Sequence, residues 1–173
     1  MNKLTYISLF SSAGIGCYGF KMEGFDCIAT NELLAKRLEV QRCNHKCKYN
    51  SGYIAGDILS KCTHDLIMQQ FEFWKENEHI DDLTVLIATP PCQGMSVANH
   101  KKKNEQKRNS LVVASIALIK EIKPKYFVLE NVKAFLNTIC TDLDGVDKKI
   151  KIAIDDNLSD DYVIELSLIH ISE

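Results

Sequence analysis

The sequence predicts an α/β fold, a doubly wound, mostly parallel Rossmann-like sheet. Three observations carry that expectation. Short apolar runs of strand length at residues 4–10, 25–30, 53–55, 83–88 and 126–129 alternate with helical stretches, the β-α order that builds a parallel sheet. Gly14, Gly16 and Gly19 follow the first run with G-x-G-x-x-G spacing, a turn whose backbone N–H groups can approach a ligand at a helix N-terminus. Finally, Glu32, Asp57, Cys92 and Glu130 fall just past successive runs, and open α/β sheets place ligands beyond the carboxyl ends of their strands.

Composition bounds the possibilities. The 173 residues are 46% hydrophobic and 25% charged, ordinary for a globular chain and sufficient for one core. A net charge of −2 gives no global attraction to nucleic acid, so a nucleic-acid face has to be a local basic patch. No apolar run approaches the ~20 residues of a membrane-spanning helix. The run at residues 6–10 breaks at Ser11-Ser12, which argues against a signal peptide and for a cytoplasmic protein with no membrane partner. Seven cysteines, an odd number without framework spacing, suggest reduced thiols. The chain shows no internal repeat, low-complexity tract or linker.

Residues 4–10 are β-branched and aromatic enough for a first strand, and the glycine turn opens a helix behind it. Residues 25–30 form a second strand that Asn31-Glu32 ends. Glu32 lies 18 residues after Gly14, the separation at which an acid meets ribose hydroxyls in βαβ units, so a ligand with an adenosine-like ribose is implied. Residues 33–41 read as a helix, 42–51 as a polar connection and 53–55 as a short strand. Two readings stand for Asp57: acceptor for an exocyclic amine, or N-cap of the next helix. That helix spans residues 59–76, with Phe71, Phe73 and Trp74 as core aromatics. Cys43, His45, Cys47, Cys62 and His64 lack the paired C-x-x-C zinc pattern, and no metal is expected.

Residues 83–88 form a buried strand, and Pro90 and Pro91 take the backbone stiffly out of the sheet. Cys92 on that turn is a candidate nucleophile; the alternative is a small buried hydrophobe. Residues 99–109 carry Lys101, Lys102, Lys103, Lys107 and Arg108 against one acid, Glu105. This basic run reads either as a loop touching phosphates or as a solvated surface loop. Ser110 is then expected to cap a helix with Leu111, Ala114, Leu118 and Ile122 on one face, ended by Lys123-Pro124. Residues 126–129 form a strand ending in Glu130-Asn131-Val132, which in a parallel sheet sets a carboxylate over the same crevice as Cys92. Residues 146–155 look helical, and 161–169 read as a final strand.

Taken in order, these motifs resemble the amino-terminal part of the DNA (cytosine-5) methyltransferases over about residues 4–136. Phe10 with Ala13-Gly14-Ile15-Gly16 resembles the family's S-adenosylmethionine loop. Asn31-Glu32-Leu33 resembles the ribose-binding acid and its neighbour, and Gly56-Asp57-Ile58 the adenine contact. Pro91-Cys92-Gln93 with Ser96 resembles the nucleophile motif, Arg108-Asn109-Ser110-Leu111 a helix-opening motif, and Glu130-Asn131-Val132 the second catalytic motif. The resemblance implies a sheet of the S-adenosylmethionine-dependent methyltransferase type, with Cys92 and Glu130 catalytic. It implies a site for S-adenosyl-L-methionine built from Phe10, Ala13, Gly14, Ile15, Gly16, Glu32, Leu33, Asp57, Ile58, Pro91 and Leu111. Gln93, Ser96, Lys101, Lys102, Lys103, Lys107 and Arg108 then belong to a loop contacting double-stranded DNA. The implied setting is restriction-modification, in the cytoplasm and on the nucleoid.

The sequence departs from the family pattern in two ways. Ser11-Ser12-Ala13 separates Phe10 from Gly14 where the family usually has Phe-x-Gly-x-Gly-Gly, and Cys17 stands where the last glycine is common. Whole family members also continue with a Gln-Arg-x-Arg-type motif, a target-recognition domain and a returning segment. The expectation is therefore a single partial catalytic domain over residues 1–173, incomplete at its C-terminus, lacking the target-recognition domain and needing its missing half or a complementing subunit. Two other readings stay open. A NAD(P)-dependent oxidoreductase shares the glycine loop and Glu32 but gives Pro91-Cys92-Gln93 and Glu130-Asn131-Val132 no role. A non-catalytic remnant binding DNA or a partner would keep the fold without turnover.

Overall fold

The computed structural model describes residues 3–91 and 102–167, with side chains for 3–91 and 110–167. Strands β1 (Thr5–Leu9), β2 (Asp26–Glu32), β3 (Tyr53–Ala55), β4 (Val85–Ala88) and β5 (Tyr126–Leu129) form one parallel sheet in the order β3-β2-β1-β4-β5. β1 and β4 are buried at every residue, which is why they read as continuous rather than alternating apolar runs. Helices α1 (Tyr18–Met22) and α2 (Ala35–Cys43) follow β1 and β2. Helices α3 (Lys61–Glu78), α4 (Lys102–Ile122) and α5 (Ile150–Leu158) follow β3, β4 and the segment after β5.

Two apolar layers sandwich the sheet. Ile7, Leu9, Ile28, Leu86 and Ala88 pack with Ile67, Phe71 and Trp74 of α3, Ile116 and Ile119 of α4, and Ile150 and Ile154 of α5. On the opposite face Tyr6, Cys27, Val85 and Ile87 pack with Leu38 of α2 and Phe20 of α1. The core reading of Phe71 and Trp74 holds, and Phe73 meets the Tyr49 ring edge-on at 5.1 Å. The strand order reverses between β1 and β4, the kind of switch point beside which open α/β sheets bind ligands at their carboxyl edge.

Several expectations differ from the structure. The basic stretch at residues 99–109 is not a loop throughout: α4 begins at Lys102, so Ser110 lies inside the helix instead of capping it. The run of Lys, Asn, Glu, Gln and Arg there contains no breaker, and its helix propensity lets α4 extend backward. The helix is also wider in burial than one stripe, with Val112, Val113, Ser115, Ile116, Leu118, Ile119 and Ile122 all buried. Residues 146–155 divide into strand β7 (Asp147–Lys149), paired antiparallel with β6 (Ile139–Thr141), and the start of α5. Gly145 at φ 80 makes the intervening turn, an Asp-Gly hairpin signal readable in the sequence.

The last difference is at residues 161–167, which are a turn followed by irregular chain rather than strand. Apolar alternation is present, with Val163 91% exposed between half-buried Tyr162 and Ile164, but no neighbouring backbone pairs with it among the described residues. Tyr162 instead docks by side chain, donating to the Pro124 carbonyl at 2.7 Å and meeting the Phe127 ring edge-on at 5.0 Å. The connection at 42–51 is more ordered than its polarity suggests, since Cys47 forms a parallel bridge with Cys27 of β2. Among the described residues no helix is long and apolar enough to cross a membrane.

Candidate active site at the carboxyl edge of the sheet

Five segments singled out by sequence meet at one edge. Phe10 follows β1, Glu32 ends β2, Gly56-Asp57 follows β3, Thr89-Pro90-Pro91 follows β4 and Glu130 follows β5. The register sets Leu9, Ala88 and Leu129 abreast, so the turns after β1, β4 and β5 leave the sheet together. Thr89 spans the switch point, its N–H donating to the Leu9 carbonyl at 3.4 Å and its hydroxyl to the Phe10 carbonyl at 3.2 Å.

The turn after β1 holds unusual backbone. Phe10 (φ 56), Ser12 (φ 48) and Gly14 (φ 88) all lie in the left-handed region. For the two non-glycine residues this costs on the order of 1–3 kcal/mol each, tolerable only where surroundings impose it. Of the three spaced glycines, Gly14 alone needs to be glycine; a Cβ on Gly16 or Gly19 would meet nothing within 4 Å. After Gly14 the chain makes a 3-10 turn (Ile15–Cys17) before the five-residue α1, so the expected helix opening is short. Gln41 of α2, 1% exposed, packs under this turn. Its Nε2 donates to Ser11 Oγ at 2.8 Å and to the Ser12 carbonyl at 2.6 Å, while its Oε1 accepts from Thr30 Oγ1 at 2.8 Å. Lys46 Nζ donates to the same Thr30 hydroxyl at 3.0 Å. Sequence reasoning missed Gln41. The signal was its place three residues after Leu38 on the inward face of α2, where a buried amide must find partners.

Glu32 is buried, with its side chain 5% exposed. Its Oε2 accepts from Ser12 N at 2.8 Å, and its Oε1 accepts from Leu34 N at 3.1 Å and Arg37 Nη1 at 3.2 Å. A carboxylate offers about four acceptor positions; three are used, leaving a place on Oε2 for a hydroxyl. Asn31 beside it donates to the Ile54 and Gly56 carbonyls at 3.2 and 3.1 Å, pinning the ends of β2 and β3 together. Asp57 does not cap α3, whose N-cap is Ser60. Its Oδ1 accepts from Leu59 N at 3.0 Å in a tight Asx turn, and the residue is half-buried. Ile58 is core, at 5% exposed, whereas Ile15 (82%) and Leu33 (65%) form apolar rims. Ala13 and Phe10 are half-buried, Gly16 and Pro91 are exposed, and Leu111 packs partly into the core.

The turns after β4 and β5 are joined directly. Glu130 N–H donates to the Ala88 carbonyl at 3.0 Å. Asn131 Nδ2 donates to the Pro90 carbonyl at 2.7 Å, and its Oδ1 accepts from Val132 N at 2.9 Å. Asn131 thus ties the Glu-Asn-Val segment to the Pro-Pro turn, a role sequence reasoning did not give it. Glu130 itself is exposed. Cys92, Gln93, Ser96 and Lys101 lie outside the described residues, as do the side chains of Lys102, Lys103, Lys107 and Arg108, whose backbone is helical.

Comparison with known proteins agrees with this geometry. The family model for C-5 cytosine-specific DNA methylase matches residues 4–170. The chain is 36% identical over 172 residues to the type II methyltransferase M1.HgaI of Avibacterium volantium, covering 94% of this chain and 44% of that protein. It is 34% identical over 131 residues to the type II methyltransferase M.AquIA of Picosynechococcus, covering 76% of this chain and 49% of that protein. It therefore spans less than half the length of either relative. A crystal structure described as a DNA modification methyltransferase encoded within an E. coli prophage superposes with TM-score 0.56 and 23% identity, covering 78% of this chain and 33% of that one; at that identity it supports the fold. With the family's model running nearly the whole length of the sheet and its motifs gathered on one edge, the chain belongs to the C-5 cytosine-specific DNA methylase family.

Proposed function

We propose that this chain carries the cofactor and nucleophile part of a DNA cytosine-5 methyltransferase. The observation that carries the reading is the Asn131–Pro90 hydrogen bond, which joins the Glu-Asn-Val and Pro-Pro-Cys segments across the turns after β4 and β5. Cys92 is two residues beyond that carbonyl and Glu130 one residue before Asn131.

The edge fits an adenosyl ligand. Glu32 Oε2 keeps an acceptor position for a ribose hydroxyl, Asp57 stands at the end of β3 for an exocyclic amine, and Gly14 leaves the turn free of a side chain. S-adenosyl-L-methionine, when bound, supplies an electrophilic methyl group. The residues do the rest. Cys92, attacking as thiolate, bonds to C6 of cytosine and makes C5 enamine-like, so that C5 can take the methyl. Glu130, as the carboxylic acid, donates a hydrogen bond to N3 and accepts one from the exocyclic amine, steadying charge that builds as Cys92 adds. Loss of the C5 proton to a base then expels Cys92 and restores the ring. A stacked cytosine cannot reach a cysteine, so the base is flipped out of double-stranded DNA. Lys101, Lys102, Lys103, Lys107 and Arg108 are the phosphate contacts. Four of them belong to the first two turns of α4, the end at which the helix dipole favours a phosphate.

Because the chain spans 44% of the Avibacterium relative, sequence-specific methylation is assigned to the chain together with a complementing segment or subunit, acting in the cytoplasm on nucleoid DNA. Alone it is expected to bind S-adenosylmethionine weakly and to methylate no specific sequence. Isothermal titration separates this from the oxidoreductase reading: heat with S-adenosylmethionine, lost in Glu32→Ala, supports it, and NADH binding in its place contradicts it.

A further inference from the structure

We infer that Gln41 is a positioning residue for the cofactor turn, the internal strut that lets this chain hold Ser12 where glycine would be at ease. The inference rests on reading the carboxyl edge as the S-adenosylmethionine site.

The geometry leads to it in three steps. Ser12 sits at φ 48 with Phe10 at φ 56, conformations that side-chain-bearing residues avoid and that need outside restraint. Among the described residues, the polar side chains holding Ser11 and Ser12 come from two elements. Glu32 accepts the Ser12 N–H, and Gln41 Nε2 grips Ser11 Oγ and the Ser12 carbonyl at 2.8 and 2.6 Å. Gln41 is held from its other end, because its Oε1 accepts from Thr30 Oγ1 at 2.8 Å and the residue is 1% exposed. The amide's two ends are thus used in opposite directions, one anchored in β2 and one presented to the turn. With the Ser12 carbonyl held inward, its N–H stays on Glu32, and the carboxylate is fixed in the orientation that leaves Oε2 open. Gln41 touches no ligand atom in this account; it acts through Ser12 and Glu32.

The test uses the full chain, with Gln41→Met removing both amide contacts at similar volume and Gln41→Glu keeping the acceptor for Thr30 while losing the donor to Ser12. Three quantities are measured: amide hydrogen exchange, S-adenosylmethionine affinity by titration, and thermal stability. In either variant the Ser12 and Gly14 amides should exchange at least about tenfold faster while Ile7 and Ile28 in the sheet keep their protection. Cofactor affinity should fall about tenfold. Adding Ser12→Gly should restore affinity to within about threefold of the parent, because glycine adopts the left-handed conformation unaided. A merely structural residue would lower stability and sheet protection together, and Ser12→Gly would not rescue it. Unchanged exchange at Ser12 and Gly14 in Gln41→Glu, or a loss of affinity that Ser12→Gly fails to restore, overturns the inference. If the parent chain binds no S-adenosylmethionine, the proposed function fails, and exchange at Ser12 and Gly14 still decides whether Gln41 holds the turn.

Discussion

Among the described residues, the Asn131 side chain makes one hydrogen bond outside its own turn, to the Pro90 carbonyl at 2.7 Å, and that bond sets the spacing of the two segments proposed to be catalytic. Asn131→Asp keeps the acceptor for Val132 N but has no donor for Pro90. Misplacing a reacting group by a fraction of an ångström to an ångström costs up to about 100-fold in rate. The expected result is an about 10–100-fold slower methyl transfer by the complemented enzyme, with cofactor affinity within about twofold. Gly56 gives a purely steric prediction. A Cβ there would lie 2.3 Å from Thr63 Oγ1, so Gly56→Ala should cost about 1–3 kcal/mol in urea unfolding, and Thr63→Ala in the same chain should recover part of it. At this scale the motif residues were legible because their chemistry is spelled in the sequence. Gln41 and Asn131 were not, because what defines them is the backbone carbonyl each one meets across the fold.

At the scale of elements, α3 is tied down at its end by Glu78. Its carboxylate accepts from Lys48 Nζ at 2.6 Å, from the Lys3 ammonium ahead of β1 and from the Tyr49 hydroxyl. These donors hold its pKa down, from 4.5 to about 2. A carboxyl group lowered in the folded state stabilises fully above its unfolded pKa and loses that contribution as pH falls through the folded one. Stability should therefore decline between about pH 4.5 and 2, and Glu78→Gln should flatten that part of the curve in denaturant titrations at stepped pH. The strands β1 to β5 were readable within a residue or two, β1 and β4 because burial at every residue writes continuous apolar runs. The start of α4 was not, since a polar basic stretch suits loop and helix alike. The strand expected at residues 161–169, of which 168 and 169 lie outside the described residues, is not formed over 161–167, because alternation reports a half-buried segment and not the neighbour that a strand must pair with.

For the whole molecule, the parallel sheet followed from the β-α alternation and the glycine turn, while its order came from the structure; together they bring the turns after β1 to β5 to one edge. β5 is the outer strand, and Tyr126 and Val128, in register with buried Val85 and Ile87, remain 66% and 41% exposed. The most direct test of the account is covalent capture of duplex DNA containing 5-fluorocytosine. The chain is fused to the residues that follow the matched region in the Avibacterium relative, and S-adenosylmethionine is present. A denaturation-resistant protein–DNA adduct that disappears in Cys92→Ser is the predicted result. An adduct that persists in Cys92→Ser, or none in the parent fusion, would contradict it.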